Sequence, residues 1–98
     1  MEFKEIQQKA VGAVKERLER KEISWDDEIL IIHLMEESGE LAAQIMNRKL
    51  KRREMDIKNI GEEIADCIII LMNLAEVHEI DLEKYLLNKI EDVRNKLN

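Results

Sequence analysis

The 98-residue chain carries 45% apolar and 39% charged residues, no proline, three glycines and a single cysteine. That mixture argues against a β-rich fold or a disordered chain, the single cysteine excludes an internal disulfide, and long helices around an aliphatic core are favoured. A formal net charge of −6 disfavours a nucleic-acid partner, which needs clustered Lys and Arg, and is compatible with binding cations.

The first helix is expected over residues 2–21, with Phe3, Ile6, Ala10, Val14 and Leu18 recurring three and four apart. The second starts at "SWDDE", where Ser24 is the expected N-cap and Asp26, Asp27 and Glu28 suit the positive helix end; it runs to about Asn47. "RKLKRREMDIKN", Arg48 to Asn59, is dense in cations without an apolar face and reads as a loop. The third helix begins at "NIGEE", with Asn59 as N-cap and Glu62 completing a capping box. It extends to about Val77 and is apolar almost all round, so it should be central or lie in a subunit interface. "HEID" makes a tight connection, Asp81 caps, and the fourth helix carries Leu82, Tyr85, Leu86, Ile90, Val93 and Leu97. The expected architecture is all-α: an antiparallel four-helix bundle, one domain spanning residues 1–98, completed by oligomerisation. The longest apolar run, Cys67–Met72, is far short of a membrane span. With no secretory leader visible and one cysteine within that run, a cytoplasmic setting is expected.

Acidic pairs three apart are common in so Glu-rich a chain; Glu2/Glu5 and Glu16/Glu19 read as solvated faces. Position on the helical wheel says more. Glu37 projects from the stripe of Leu30, Leu34 and Leu41, with Glu40 one turn along, and Glu63 falls among Cys67, Ile70 and Leu74. Asp66 shares a stripe with Glu62, Asn73 and Glu76, which is either a solvent face or part of the same acidic group. If the second and third helices pack antiparallel, Glu37 and Glu40 face Glu63 and Asp66. Two like charges 4 Å apart repel by about 4 kcal/mol at an effective dielectric near 20, so protons or cations must hold the group together. All-oxygen donors suit Mg²⁺ or Mn²⁺. A ferritin-like di-iron site wants Glu-x-x-His, and the residues three before His33 and His78 are Leu30 and Ala75. Carboxylate-held Mg²⁺ usually engages phosphates. Cations for them stand in Arg48, Lys49, Lys51, Arg52 and Arg53, and again in Lys89, Arg94 and Lys96.

"EESGE" (Glu36, Glu37, Glu40) followed by "EEIAD" (Glu63, Asp66) resembles the EExxE…ExxD signature of MazG-like nucleoside triphosphate pyrophosphohydrolases. The tail "NLAEVHEIDLEKYLLNKIEDVRNKL" is similar to that family's close, and the likeness covers roughly residues 33–96. The resemblance implies an all-α bundle assembling as dimers or tetramers. It also implies Mg²⁺-dependent hydrolysis of a (deoxy)nucleoside triphosphate to monophosphate and pyrophosphate, as in clearance of non-canonical nucleotides. Glu37, Glu40, Glu63 and Asp66 would hold metal, Glu36 would be a further ligand or orient water, and Lys89 matches a phosphate-contacting lysine. Many members carry Asn or Arg four residues after that lysine; here Val93 stands there with Arg94 beside it. Gly39 would allow close approach of the third helix. Trp25 lies near where related proteins contact the base and offers either a stacking surface or a hydrophobic staple. The competing expectation is a non-catalytic helical oligomer whose acidic stripe binds a partner or a nucleotide.

Overall fold

The computed structural model describes residues 1–50, 54 and 56–96. The cations Lys51, Arg52 and Arg53 and the apolar Leu97 lie outside the described residues. Four helices follow in order: α1 (Phe3–Arg20), α2 (Asp27–Lys49), α3 (Ile57–Val77) and α4 (Leu82–Lys96). The fold is therefore an all-α four-helix bundle, with no strand among the described residues.

Helix α3 is the hub, packed against α2 along one side and α1 along another. Its apolar composition supplies both contacts: Ile70, Met72 and Ala75 are buried there, opposite Ala10, Val11 and Leu18 of α1 and Leu30 of α2. Helices α2 and α3 run antiparallel. The first residue of α2 meets the end of α3, with Asp27 Oδ2 lying 3.1 Å from His78 Nε2.

Two expected N-caps move. Asp26, not Ser24, accepts from the Ile29 backbone N–H at 3.0 Å, and Asp56, not Asn59, accepts from Asn59 N–H at 3.1 Å. In each case an aspartate satisfies the orphan amide three residues on. Asp81 behaves as expected, accepting from Lys84 N–H at 3.3 Å. Helix α2 also runs past the expected end, so Arg48 and Lys49 belong to its last turn rather than to a loop.

Helices α1 and α3 close the same way. Ile23 N–H donates to Leu18 O and Ile80 N–H to Ala75 O, both at 2.9 Å. The intervening Glu22 and Glu79 sit at φ 58° and 54°. These are Schellman closures in which glutamate occupies the left-handed position that glycine usually takes.

Helix α4 buries none of its side chains, and Tyr85, Leu86, Leu87, Ile90 and Val93 stand exposed. The substantial packing is of α3 with α2 and α1, so α4 stands at the margin of the three packed helices.

Candidate metal and nucleotide site

Helices α2 and α3 bring Glu37, Glu63 and Asp66 together, each offering one carboxylate oxygen within 4.8 Å of the others. Glu63 and Asp66 are one turn apart on α3, and Glu37 projects from α2. Glu63 is buried at 9% exposure, Glu37 is half-buried and Asp66 is open to solvent. Antiparallel packing of two regular helices fixes this spacing, and no loop takes part in it.

The Oε2 atom of Glu63 is buried without a hydrogen-bond partner. A buried carboxylate oxygen in that state carries a desolvation penalty that a proton or a cation can relieve. The hydrogen bond to Glu37 first, then burial, then the Glu37 charge and Glu40, push the Glu63 carboxyl up to about 7. The Glu63 carboxyl therefore holds its proton more tightly than an ordinary glutamate in the metal-free protein. The half-buried Cys67 thiol is also pushed up, by burial and by the charges of Glu37, Glu63 and Asp66. A cluster of acidic oxygens, one of them orphaned, fits a hard divalent cation.

Glu40 approaches closely enough to raise the Glu63 carboxyl, although it stands outside the three-carboxylate group. Glu36 is exposed and likewise outside it. Lys49 is exposed in the last turn of α2. On α4, Lys89 borders a shallow hollow with Leu86, Ile90 and Val93, and Arg94 is exposed in the last turn. Gly39 does not serve close approach: a Cβ there would meet nothing within 4 Å.

Trp25 is half-buried and tied into the scaffold. Its indole N–H donates to Asn73 Oδ1 at 2.9 Å, and Lys15 Nζ lies 4.1 Å from its ring centroid, a cation–π contact. Asn73 is fully buried at 0% exposure, which corrects the solvent-face reading of the stripe it shares with Asp66. Its amide donates to Ile69 O at 2.8 Å and to Ala10 O at 3.4 Å.

The carboxylates open onto a cavity of about 210 Å³ between α1, α2 and α3. Glu37, Asp66 and His33 line it together with aliphatic side chains and two cations, Arg17 of α1 and Lys21 at its C-cap. Sequence reasoning missed this role of α1, because its wheel announces only an apolar stripe and a charged back.

No match was found among curated proteins, and none among solved structures. Among protein families, residues 26–97 match the MazG nucleotide pyrophosphohydrolase domain. That segment holds all three clustered carboxylates and most of the helical scaffold, and the chain belongs to the MazG nucleotide pyrophosphohydrolase family.

Proposed function

We propose that this chain, acting as one domain over residues 1–98, is a Mg²⁺-dependent nucleoside triphosphate pyrophosphohydrolase of the cytoplasm that releases monophosphate and pyrophosphate. The observation that carries the reading is the meeting of Glu37, Glu63 and Asp66 with one buried, unpartnered oxygen on Glu63. Glu37, Glu40, Glu63 and Asp66 would hold Mg²⁺ or Mn²⁺. Held there, the metal would supply positive charge against the triphosphate and would favour ionisation of water.

The chain's own residues do the rest. Glu63, fixed on α3 and backed by Glu37, keeps the ligand oxygens in register without a loop having to order. Glu36, one step round α2 from Glu37 and open to solvent, is assigned to orient the attacking water. The water oxygen bonds to the α-phosphorus as the bridging bond to the β-phosphate breaks. Pyrophosphate then leaves with that electron pair, and the proton passes to solvent through the carboxylates. Lys49, Lys89 and Arg94 are assigned to the phosphates as mobile cations, and Trp25 to the base end, where its indole N–H is already committed to Asn73. Arg94 takes the part that Val93 cannot.

The exposed apolar row of α4 supports self-association, as a homodimer or homotetramer, with no nucleic acid or membrane involved. Among the described residues no helix is long and apolar enough to cross a membrane.

The test is pyrophosphate release from a panel of canonical and modified (d)NTPs, with Mg²⁺ and with EDTA. Mg²⁺-dependent conversion to monophosphate is expected. Silence across the panel in folded protein would overturn the enzymatic reading in favour of a binding role for the acidic stripe.

A further inference from the structure

Cys67 stands on the same stripe of α3 as Glu63, four residues further along. Side chains spaced this way are neighbours on a helix surface, with Cβ atoms about 5–6 Å apart. The charges of Glu37, Glu63 and Asp66 all act on its thiol, although Sγ lies outside the three-oxygen group itself. The thiol is half-buried, and the exposed Asp66 beside it leaves the cluster open to solvent on one side. Cys67 is the chain's one cysteine, and the hydrolytic mechanism gives it no part.

A second observation meets the thiol here. Glu63 is nine-tenths buried, and its Oε2 has no partner. Two ligands four apart on one helix face are a known frame for zinc, which binds thiolate sulfur at about 2.3 Å and carboxylate oxygen at about 2.0–2.2 Å. The longer glutamate and the shorter cysteine can both reach an ion seated between them. Mg²⁺ is hard and takes oxygen, whereas Zn²⁺ and Cd²⁺ accept sulfur readily. The all-oxygen set and the sulfur-containing set overlap at Glu63, so the two cannot be filled independently.

Resting on the reading of the cluster as a cation site, we infer that Cys67 and Glu63 give it a second, soft-cation binding mode, in which Zn²⁺ takes the Cys67 sulfur and the free Glu63 oxygen and displaces Mg²⁺. The thiol proton passes to solvent as the bond to sulfur forms. Zinc is then an inhibitor of this chain and not a substitute for Mg²⁺, because Glu63 is withdrawn from the ligand set that faces the triphosphate.

The test uses metal-free wild-type protein and reads the sulfur directly. Cd²⁺, a soft stand-in for zinc, should produce ultraviolet thiolate-to-metal absorption, for which Cys67 is the one possible source. Zn²⁺ at saturation should slow alkylation of Cys67 by iodoacetamide about tenfold or more, and Mg²⁺ should not. Glu63→Gln should weaken Cd²⁺ binding by about tenfold or more, while Cys67→Ala should lose the absorption and keep its rise in Tm with Mg²⁺. Alkylation at one rate with and without Zn²⁺ would overturn the inference and place zinc elsewhere, as at Asp27 and His78. Cd²⁺ binding equally tight in Glu63→Gln would also overturn it, by reducing Cys67 to a thiol acting alone. A wild-type Tm that responds to neither Mg²⁺ nor Zn²⁺ would instead overturn the cation-site reading on which the inference rests.

Discussion

Trp25 and Asn73, 48 residues apart, are joined by a 2.9 Å hydrogen bond from the indole N–H to the amide oxygen. The bond links the chain just before α2 to the C-terminal part of α3, and the Asn73 amide extends the link to Ala10 O of α1. One fully buried side chain therefore ties together the three packed segments. Asn73→Ala would leave the Trp25 donor without its acceptor and open a small void. A loss of about 2–3 kcal/mol is expected, equivalent to a fall in Tm of about 10–20 °C for a domain of this size. Thermal unfolding by circular dichroism measures it.

The raised carboxyl of Glu63 gives the metal-free protein a pH signature. A carboxyl at about 7 in the folded state, against an ordinary value of 4.5, means that the native state binds the extra proton between those limits. Its contribution to stability is present in full below about pH 4.5 and is lost as pH rises through 7. Glu63→Gln mimics the protonated form at every pH. In EDTA the variant should match the wild type near pH 5 and melt higher than it near pH 8. The difference in Tm between the two proteins, followed across pH, tests this; a difference that does not vary with pH would refute it.

Divalent metal should reverse that order. A ligand bound only by the folded state at ten times its Kd stabilises by about 1.4 kcal/mol, or a rise in Tm of about 6–11 °C here. Mg²⁺ or Mn²⁺ is expected to produce such a rise in the wild type at pH 8 and little in Glu63→Gln, while NaCl at matched ionic strength does not. Equal responses in the two proteins would remove Glu63 from the metal site.

Glu22 and Glu79 hold left-handed backbone angles that cost a residue with a Cβ about 1 kcal/mol and glycine almost nothing. Glu22→Gly and Glu79→Gly should each leave stability unchanged or raise it by up to about 1 kcal/mol, although most surface changes to glycine inside helices destabilise. Urea unfolding midpoints at constant m distinguish the two cases.

The exposed row Leu86, Ile90 and Val93 on α4 predicts association in solution. Sedimentation velocity should find dimers or larger species for the wild type, and Ile90→Asp should shift them to monomer while leaving helix content intact. A monomeric wild type at tens of micromolar would remove oligomerisation from the proposal.

Helix count, the centrality of α3 and the anomalous placement of Glu37 and Glu63 were legible in the sequence, because each is a property of one helical wheel. Features that depend on two elements were not. Asn73 looks like a member of a polar stripe with Asp66 until its partner on another segment is known. The cap at Asp26 lies two residues after the expected one and that at Asp56 three residues before it, because several residues in each stretch can cap and the packed helix length decides among them. The closures at Glu22 and Glu79 carry no glycine to announce them. Gly39, which suggested close approach on composition grounds, faces open space.

The distribution of parts over the helices has an evolutionary reading. The carboxylates lie within α2 and α3, spaced by the regular geometry of a helix pair, while α1 and its C-cap supply a cavity wall and two cations. Changes on the cavity side of α1 can alter what fits beside the cluster without displacing a single carboxylate oxygen. Such an arrangement lets the cavity beside the cluster vary while the spacing of the three carboxylates stays fixed.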